Sequence, residues 1–321
     1  MLLRLTLGLG RWIKSKLLAV EHNIGNNLNQ VVESIINVST KENFSLSNTE
    51  SKLALAEALL KEEQVFNTII HRFGGGLYIR EAHYPKGTLI VGQEHVSEHM
   101  NVLLQGSINV IDGDGEVQTL VAPHMFVAKA GSKIGYTLED TVWQNIYVTS
   151  STDVEYLESI LFKSPDILKK HQEEKLLKEY PLHEVDRQDF LLVVQESGWT
   201  FEDIELASKH RGDCIPFPEG SYAICAGNSP IQGKGMFSTA MIKKDLVIAP
   251  MRLGGLRTPA GYLVNHSKNP NAVAVINPFG DMFLVASRDI GGMVGGDLGE
   301  EITLDYRQVM KLNNLWIGEQ T

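Results

Sequence analysis

The sequence has few cysteines, few basic residues and no long uncharged apolar run. Only Cys214 and Cys225 occur among 321 residues, which is too few for a disulfide framework, and they lack the paired spacing of a zinc site. We therefore expect a reducing, intracellular setting. Acidic residues outnumber basic ones by 39 to 29, for a formal net charge of −10. That charge disfavours a nucleic-acid partner, because contact with phosphates requires a basic surface.

The first twenty residues are rich in apolar side chains but carry four basic ones: Arg4, Arg11, Lys14 and Lys16. No uncharged run therefore approaches the ~20 residues that cross a bilayer, and no small-residue cleavage site follows. We predict no membrane span. The composition, 43% hydrophobic and 21% charged, is typical of globular proteins, and the length allows two domains.

The segment 13–38 shows heptad spacing. Its apolar residues follow one another in steps of three or four: Ile13, Leu17, Val20, Ile24, Leu28, Val31, Ile35 and Val38. This pattern predicts an amphipathic helix that either packs on its own domain or mediates self-association. A second helix is predicted after a capping box formed by Ser47 and Glu50. We assign residues 1–72 to a helical N-terminal segment and expect a homo-oligomer through it.

The remaining chain divides into two β-rich parts and a helical one. Residues 73–150 contain short β-rich runs at 88–91, 101–104, 107–111 and 142–148, separated by glycine and aspartate, which predicts a β-sandwich or a small barrel. Residues 151–213 are helical in pattern and highly charged, as in a solvated connector. Residues 214–321 return to short strands and glycine-rich turns. The sequence therefore predicts a mainly β protein with a helical N-terminus and linker.

The spacing from Gly87 to Gly106 resembles the first motif of the cupin family, in which two alternating histidines and a glutamate lie between two glycines. Gln93, His95 and His99 stand at the three inner positions. The resemblance implies a cupin-like β-barrel at 73–150. A metal requires three or four convergent ligands, and the motif is incomplete. We therefore expect no metal, name these three residues as weak candidate ligands, and expect the barrel to serve in packing or contact.

Three polar motifs follow in the last quarter of the chain: "GKGM" at 233–236, "NHSKNPN" at 265–271 and "GEEITLDY" at 299–306. In this order they resemble the SET-domain family of protein-lysine methyltransferases, over about residues 230–307. The resemblance implies a small SET-type β domain at 214–321 that binds S-adenosylmethionine. The residues implied to bind this cofactor are Gly233, Lys234, Gly235, Met236, Asn265 and His266. Tyr306 is implied to orient the transferred methyl group and the lysine amine.

The chain also departs from that family. The stretch between Gly235 and Asn265 is shorter than in the active enzymes, so we expect a trimmed substrate channel. Both β-rich parts further resemble cupin-like and SET-like sequences of tailed-phage genomes. Two functions stay open at this point. One is a phage-encoded lysine methyltransferase that acts on a protein substrate. The other is a non-catalytic virion or assembly protein that contacts virion proteins. Either would reside in the host cytoplasm or in the virion.

Overall fold

The computed structural model describes residues 49–111 and 117–316. The heptad segment 13–38, Ser47 of the predicted capping box and the turn at 112–116 lie outside these ranges. The described part of the N-terminal segment contains one helix, α1 (Thr49–Leu59). Among the described residues, no helix combines the length and the apolar character that a membrane crossing requires. Strands account for 39% of the residues and helices for 26%, so the chain is mainly β, as predicted.

Ten strands follow α1. They are β1 (Thr68–Gly74), β2 (Leu77–Tyr84), β3 (Leu89–Val91), β4 (Glu94–His95), β5 (His99–Gln105), β6 (Ser107–Ile111), β7 (Val117–Val121), β8 (His124–Ala128), β9 (Ile134–Thr137) and β10 (Thr141–Val148). A later strand, β12 (Gly220–Tyr222), joins them. One sheet has the order β12-β1-β2-β10-β5-β8, and a second has the order β3-β9-β6-β7.

The order of the strands identifies the topology. From β2 to β10, leaving aside the short β4, eight strands divide between the two sheets. The first and last of them, β2 and β10, lie side by side in one sheet, while β3 and β9 lie side by side in the other. This nested pairing is that of a jelly roll, the double-sheet arrangement that cupins share. The two sheets are not joined at their edges, so the cupin-like part is a sandwich of two sheets and not a closed barrel.

The segment after β10 is helical, as predicted, with one short strand. Its elements are α2 (Val154–Leu161), β11 (Phe162–Lys163), α3 (Asp166–Glu179), a 3₁₀ turn (Tyr180–His183), α4 (Glu184–Ser197) and α5 (Phe201–Lys209). Local signals explain their boundaries: Asp153 caps α2, Thr200 and Asp203 form a capping box at α5, and α4 stops at Gly198 in the left-handed region. The connector is less solvated than expected, because α4 buries Asp189, Val193 and Val194.

The C-terminal part contains two small sheets. Its elements are β13 (Ile224–Asn228), β14 (Lys234–Ser238), β15 (Val247–Leu253), β16 (Leu256–Arg257), α6 (Pro259–Tyr262), β17 (Asn265–His266), β18 (Ala272–Ile276), β19 (Met282–Ala286), β20 (Glu301–Leu304) and α7 (Tyr306–Leu312). The sheet orders are β13-β14-β20-β17 and β16-β15-β19-β18. Strands β17 and β20 pair in parallel, so two distant polar motifs of the sequence become neighbours.

One hydrophobic core runs through the sandwich and the C-terminal part. It includes Phe73 and Tyr78 from the sandwich together with Ile224 and Met236 from β13 and β14. Strand β12 crosses between the two parts, because Tyr222 pairs with His71 of β1. The sandwich and the C-terminal sheets are therefore packed against each other through apolar side chains as well as through backbone hydrogen bonds.

Candidate functional site

The three C-terminal motifs come together in the fold. The side-chain amide of Asn265 donates to the backbone oxygens of Gln232 (3.1 Å) and Lys234 (3.0 Å). The imidazole of His266 accepts at Nδ1 from the backbone N–H of Tyr306 (3.2 Å). The segment 233–236, the Asn-His pair and Tyr306 are thus adjacent, although 29 positions separate Met236 from Asn265 and 40 separate His266 from Tyr306 in the sequence.

The side chains predicted to hold S-adenosylmethionine are already bonded inside the protein. Asn265 Nδ2 also donates to Glu301 Oε1 (2.7 Å), and the Glu301 carboxylate fills the space beside Gly235. The Tyr306 hydroxyl donates to the backbone oxygen of Val264 (2.9 Å), and burial raises the pKa of that hydroxyl to about 12.

Gly233 and Met236 are two further residues that were predicted to bind the cofactor. Gly233, at φ +55°, has open space where a side chain would stand, whereas Met236 is buried in the core. The open side of Gly233 thus offers room to a ligand, while the exposed Lys234 is paired with Glu155 (2.6 Å). As they stand, these side chains do not fit the cofactor, because the polar groups that would bind it are bonded to the protein itself.

Helix α4 covers the same loop. Asp189 accepts from His266 Nε2 (3.0 Å) and from Arg307 Nη1 (2.7 Å), and the Arg307 guanidinium holds the pKa of Asp189 below its usual range. Asp186, one turn earlier, accepts from the Ser267 hydroxyl (2.7 Å) and from the backbone N–H of Lys268 (3.1 Å). Both ring nitrogens of His266 are therefore engaged. The sequence held a signal for this contact, since two aspartates three positions apart share one helix face.

The weak metal candidates do not converge. The rings of His95 and His99 stack in parallel with their centroids 3.9 Å apart, an arrangement that does not aim two lone pairs at one ion. His95 Nδ1 is bonded to the Tyr147 hydroxyl (2.6 Å) and His99 Nδ1 to the backbone oxygen of Ser97 (3.1 Å). Within residues 49–111 and 117–316, no three His, Cys, Asp or Glu side chains are placed to hold a metal.

A row of polar side chains crosses the inner face of the larger sheet. Its members are direct partners on four neighbouring strands: His71, Arg80, Asn145 and Asn101. Because alternate residues of a strand share a face, the flanking rows lie two positions away on each strand. One flanking row is mostly apolar and contains Ile69, Ala82, Trp143 and Leu103, while the other contains Phe73, Tyr78 and Tyr147. We call these four residues the polar row. Hydrophobic side chains flank the polar row on both sides.

Several buried polar atoms on and near this face have no hydrogen-bond partner among the described residues. They are His71 Nε2, Arg80 Nε, Gln93 Oε1, His99 Nε2 and Asn101 Nδ2. All five residues line one cavity of about 2310 Å³, which extends from the space between the sheets to the C-terminal part. We call this inner end the sandwich site. Buried polar atoms are nearly always paired in native proteins, so a cluster of unpaired ones marks a place where a ligand or water supplies the partner.

The electrostatics of the sandwich site follow from burial. Burial, with the nearby Arg80 guanidinium, lowers the pKa of His71 to about 3. Burial and the neighbouring His99 likewise lower the pKa of His95 to about 3, so both rings are neutral at pH 7. The guanidinium of Arg80 faces Glu158 of α2, with Arg80 Nε 3.8 Å from Glu158 Oε1. This distance is too long for a hydrogen bond.

Most of the sandwich site was not predicted from the sequence. Gln93, His95 and His99 were predicted as weak metal ligands, and the structure places these three residues in the cavity wall. Arg80, Asn101 and Asn145 were not predicted. A polar residue in a β-rich run is ambiguous, because only the register decides which face it occupies.

Comparison with known proteins gives the following result. No family model matches the chain, and none of the curated proteins matches it. Solved structures similar to it include a cupin superfamily protein from Desulfitobacterium hafniense, with 16% identity over 30% of this chain and 88% of that one and a TM-score of 0.23. Two others are KdgF from Halomonas sp. (19% identity, 25% and 79% of the two chains, TM-score 0.21) and a protein with a double-stranded β-helix domain from Klebsiella pneumoniae (15%, 27% and 78%, 0.23). Similarities of this size carry no argument about activity.

Proposed function

We propose that this chain is a ligand-binding protein whose jelly-roll sandwich holds a small polar molecule at the sandwich site. The observation that supports the proposal is that five residues with buried, unpaired polar atoms line the same cavity. Each such atom costs roughly 1–3 kcal/mol when it stays unpaired. A bound molecule removes that cost and is held by the same atoms, so the cluster is better suited to a binding site than to packing alone.

This proposal develops the second of the two functions considered from the sequence, a binding module without catalysis. We propose the same setting for it as before: an assembly protein of a phage, found in the host cytoplasm or in the virion, in contact with virion proteins. That part rests on sequence resemblance alone. Self-association through the N-terminal helix concerns residues outside the described ranges and stays a prediction.

The test is a thermal-shift series on the purified full chain with D-glucose, myo-inositol, citrate, inorganic phosphate and putrescine. A ligand that binds only the folded state raises stability by about 2.7 kcal/mol at a hundredfold excess over Kd. We expect at least one probe to raise the Tm with dose, and Asn101→Leu to abolish that shift. Gln144→Leu is the matched control, because its amide bonds Glu81 on the opposite face. No shift with any probe would overturn the proposal.

A second candidate is binding of S-adenosylmethionine by the C-terminal part, for methyl transfer to a protein substrate. It is favoured by one observation: the segment 233–236, Asn265, His266 and Tyr306 are adjacent. Binding through Asn265 requires its amide to leave Glu301 and the cofactor to enter beside Gly233. Calorimetric titration with S-adenosylmethionine, repeated on Asn265→Ala, tests this candidate. Micromolar binding that is lost in the variant would support it, and no heat at millimolar cofactor would exclude it.

A further inference from the structure

The inner end of the cavity carries charges of both signs: Arg80 and Glu158 face each other, and Lys133 lies close enough to His95 and His99 to lower the pKa of both rings. The Arg80 side chain is 15% exposed, and the Glu158 carboxylate lies 3.8 Å from its Nε. The histidines add no charge, because burial keeps the pKa of His71 and that of His95 near 3. A free anion would be attracted by Arg80 and repelled by Glu158, and a free cation would experience the reverse. Net charge is therefore a poor basis for recognition at this site.

The tautomer of His99 is fixed by its neighbour. Nδ1 lies 3.1 Å from the backbone oxygen of Ser97, and a carbonyl oxygen only accepts, so Nδ1 carries the proton. Burial lowers the pKa of His99, so the ring is neutral and its Nε2 is left as an acceptor. The unpaired Gln93 Oε1 is an acceptor as well.

The other fixed unpaired atoms are donors. Asn101 Oδ1 accepts from the amide of Asn145, which orients the Asn101 side chain and leaves its Nδ2 free to donate. Arg80 Nε also only donates. Arg80 and Asn101 are two strand spacings apart, which is about 10 Å. Besides His71 Nε2, the site thus presents two donors, about 10 Å apart, and two acceptors.

This combination of unpaired donors and acceptors limits which chemical groups of a ligand can pair with the site. A carboxylate or a fully ionised phosphate group only accepts and would leave His99 and Gln93 unmatched, while an ammonium group only donates and would leave Asn101 and Arg80 unmatched. A hydroxyl group does both. Tyr136 and Trp143 also line the cavity, and apolar or aromatic walls with a few placed polar groups are typical of small-molecule sites.

Building on the proposed function, we infer that the ligand of the sandwich site is a neutral polyhydroxylated molecule, a sugar or a cyclic polyol. Its hydroxyl groups pair with the donors Asn101 and Arg80 and with the acceptors His99 and Gln93. The C–H faces of its ring lie against the aromatic wall.

Isothermal titration of the full chain tests the inference, with D-glucose, D-galactose and myo-inositol compared with citrate, inorganic phosphate and putrescine. We expect heat of binding from at least one neutral polyol and none from the three charged probes. Binding of a charged probe without any polyol would overturn the ligand class and leave the proposed function standing. Absence of binding by all six probes would overturn both.

Two variants make the test specific to the acceptors. Gln93→Met keeps the side-chain length but removes the unpaired oxygen, and we expect it to weaken polyol binding about tenfold. Gln144→Met is the same substitution on the outer face of the sheet, and we expect unchanged affinity. Circular dichroism of both variants shows whether each is folded. Unchanged polyol affinity in a folded Gln93→Met protein would contradict the inference.

Discussion

The two buried asparagines of the polar row allow a sharp test of the sandwich site. Asn101 is 1% exposed and Asn145 is 7% exposed, and the amide of Asn145 donates to Asn101 while Asn101 Nδ2 stays unpaired. Asn145→Leu removes the partner and leaves both polar atoms of Asn101 unmatched. The expected cost of that single substitution to the free energy of unfolding is about 1–3 kcal/mol.

The double variant Asn101→Leu with Asn145→Leu should behave differently. It loses one hydrogen bond, worth about 0.5–1.5 kcal/mol, but also removes the unpaired donor, which costs about 1–3 kcal/mol in the wild type. Both side chains border the cavity, so the added volume has room. We therefore expect the ligand-free double variant to be about 1 kcal/mol more stable than the wild type, and clearly more stable than Asn145→Leu.

Urea denaturation followed by tryptophan fluorescence measures these differences without ligand. The two substitutions should be strongly non-additive, because each single variant leaves an atom without its partner. If the double variant is less stable than Asn145→Leu, then Asn101 Nδ2 already has a partner in the folded protein. That result would refute the reasoning that places a ligand at the polar row.

Three other predictions concern pH, the α4 contact and one turn. The pKa values of His71 and His95 are about 3 when folded and about 6.5 when unfolded, so the unfolded state binds more protons between these limits. The free energy of unfolding should fall as pH drops from 6.5 towards 3, by up to ~1.4 kcal/mol per pH unit for each histidine; a flat profile in pH-dependent urea denaturation would contradict this. Asp189→Asn should lower the free energy of unfolding by about 1–3 kcal/mol, whereas Glu196→Gln, at the exposed partner of the same arginine, should cost less than ~1 kcal/mol; equal urea midpoints would contradict the assignment. Gly106→Ala should cost about 2 kcal/mol or more in the same assay, because φ is +83° and a Cβ would meet a backbone carbonyl; wild-type stability would exclude the tight turn.

The class of the fold was predictable because its signals are local. Alternating apolar residues indicate strands, and glycines at special torsions indicate turns, without knowledge of the rest of the chain. Whether the sheets close into a barrel depends on edge strands that meet only in three dimensions. Nothing in the sequence of β8 (His124–Ala128) indicates whether this strand pairs with β7 (Val117–Val121). In the structure the two strands belong to separate sheets.

The site was predictable only in part, for the same reason. The polar motifs predicted which segments the fold brings together, but not which other side chains would bond to them. Asp189 and Glu301 fill the hydrogen-bonding positions around His266 and Asn265. The spacing of Asp186 and Asp189 indicates one helix face but does not identify the loop that this face contacts. The polar row was hidden because each member is an ordinary polar residue until the strand register aligns it with the others.

Strand β12 (Gly220–Tyr222) has a consequence for how the protein is made. It supplies the neighbour of β1 (Thr68–Gly74), with Tyr222 paired to His71, although about 150 residues separate the two strands in the sequence. During synthesis, β1 therefore remains an unpaired edge until the connector and the first part of the C-terminal domain have left the ribosome. Unpaired edges recruit other chains. The sandwich is thus most exposed to aggregation during this interval, and any fragment that ends before Gly220 keeps that edge permanently open.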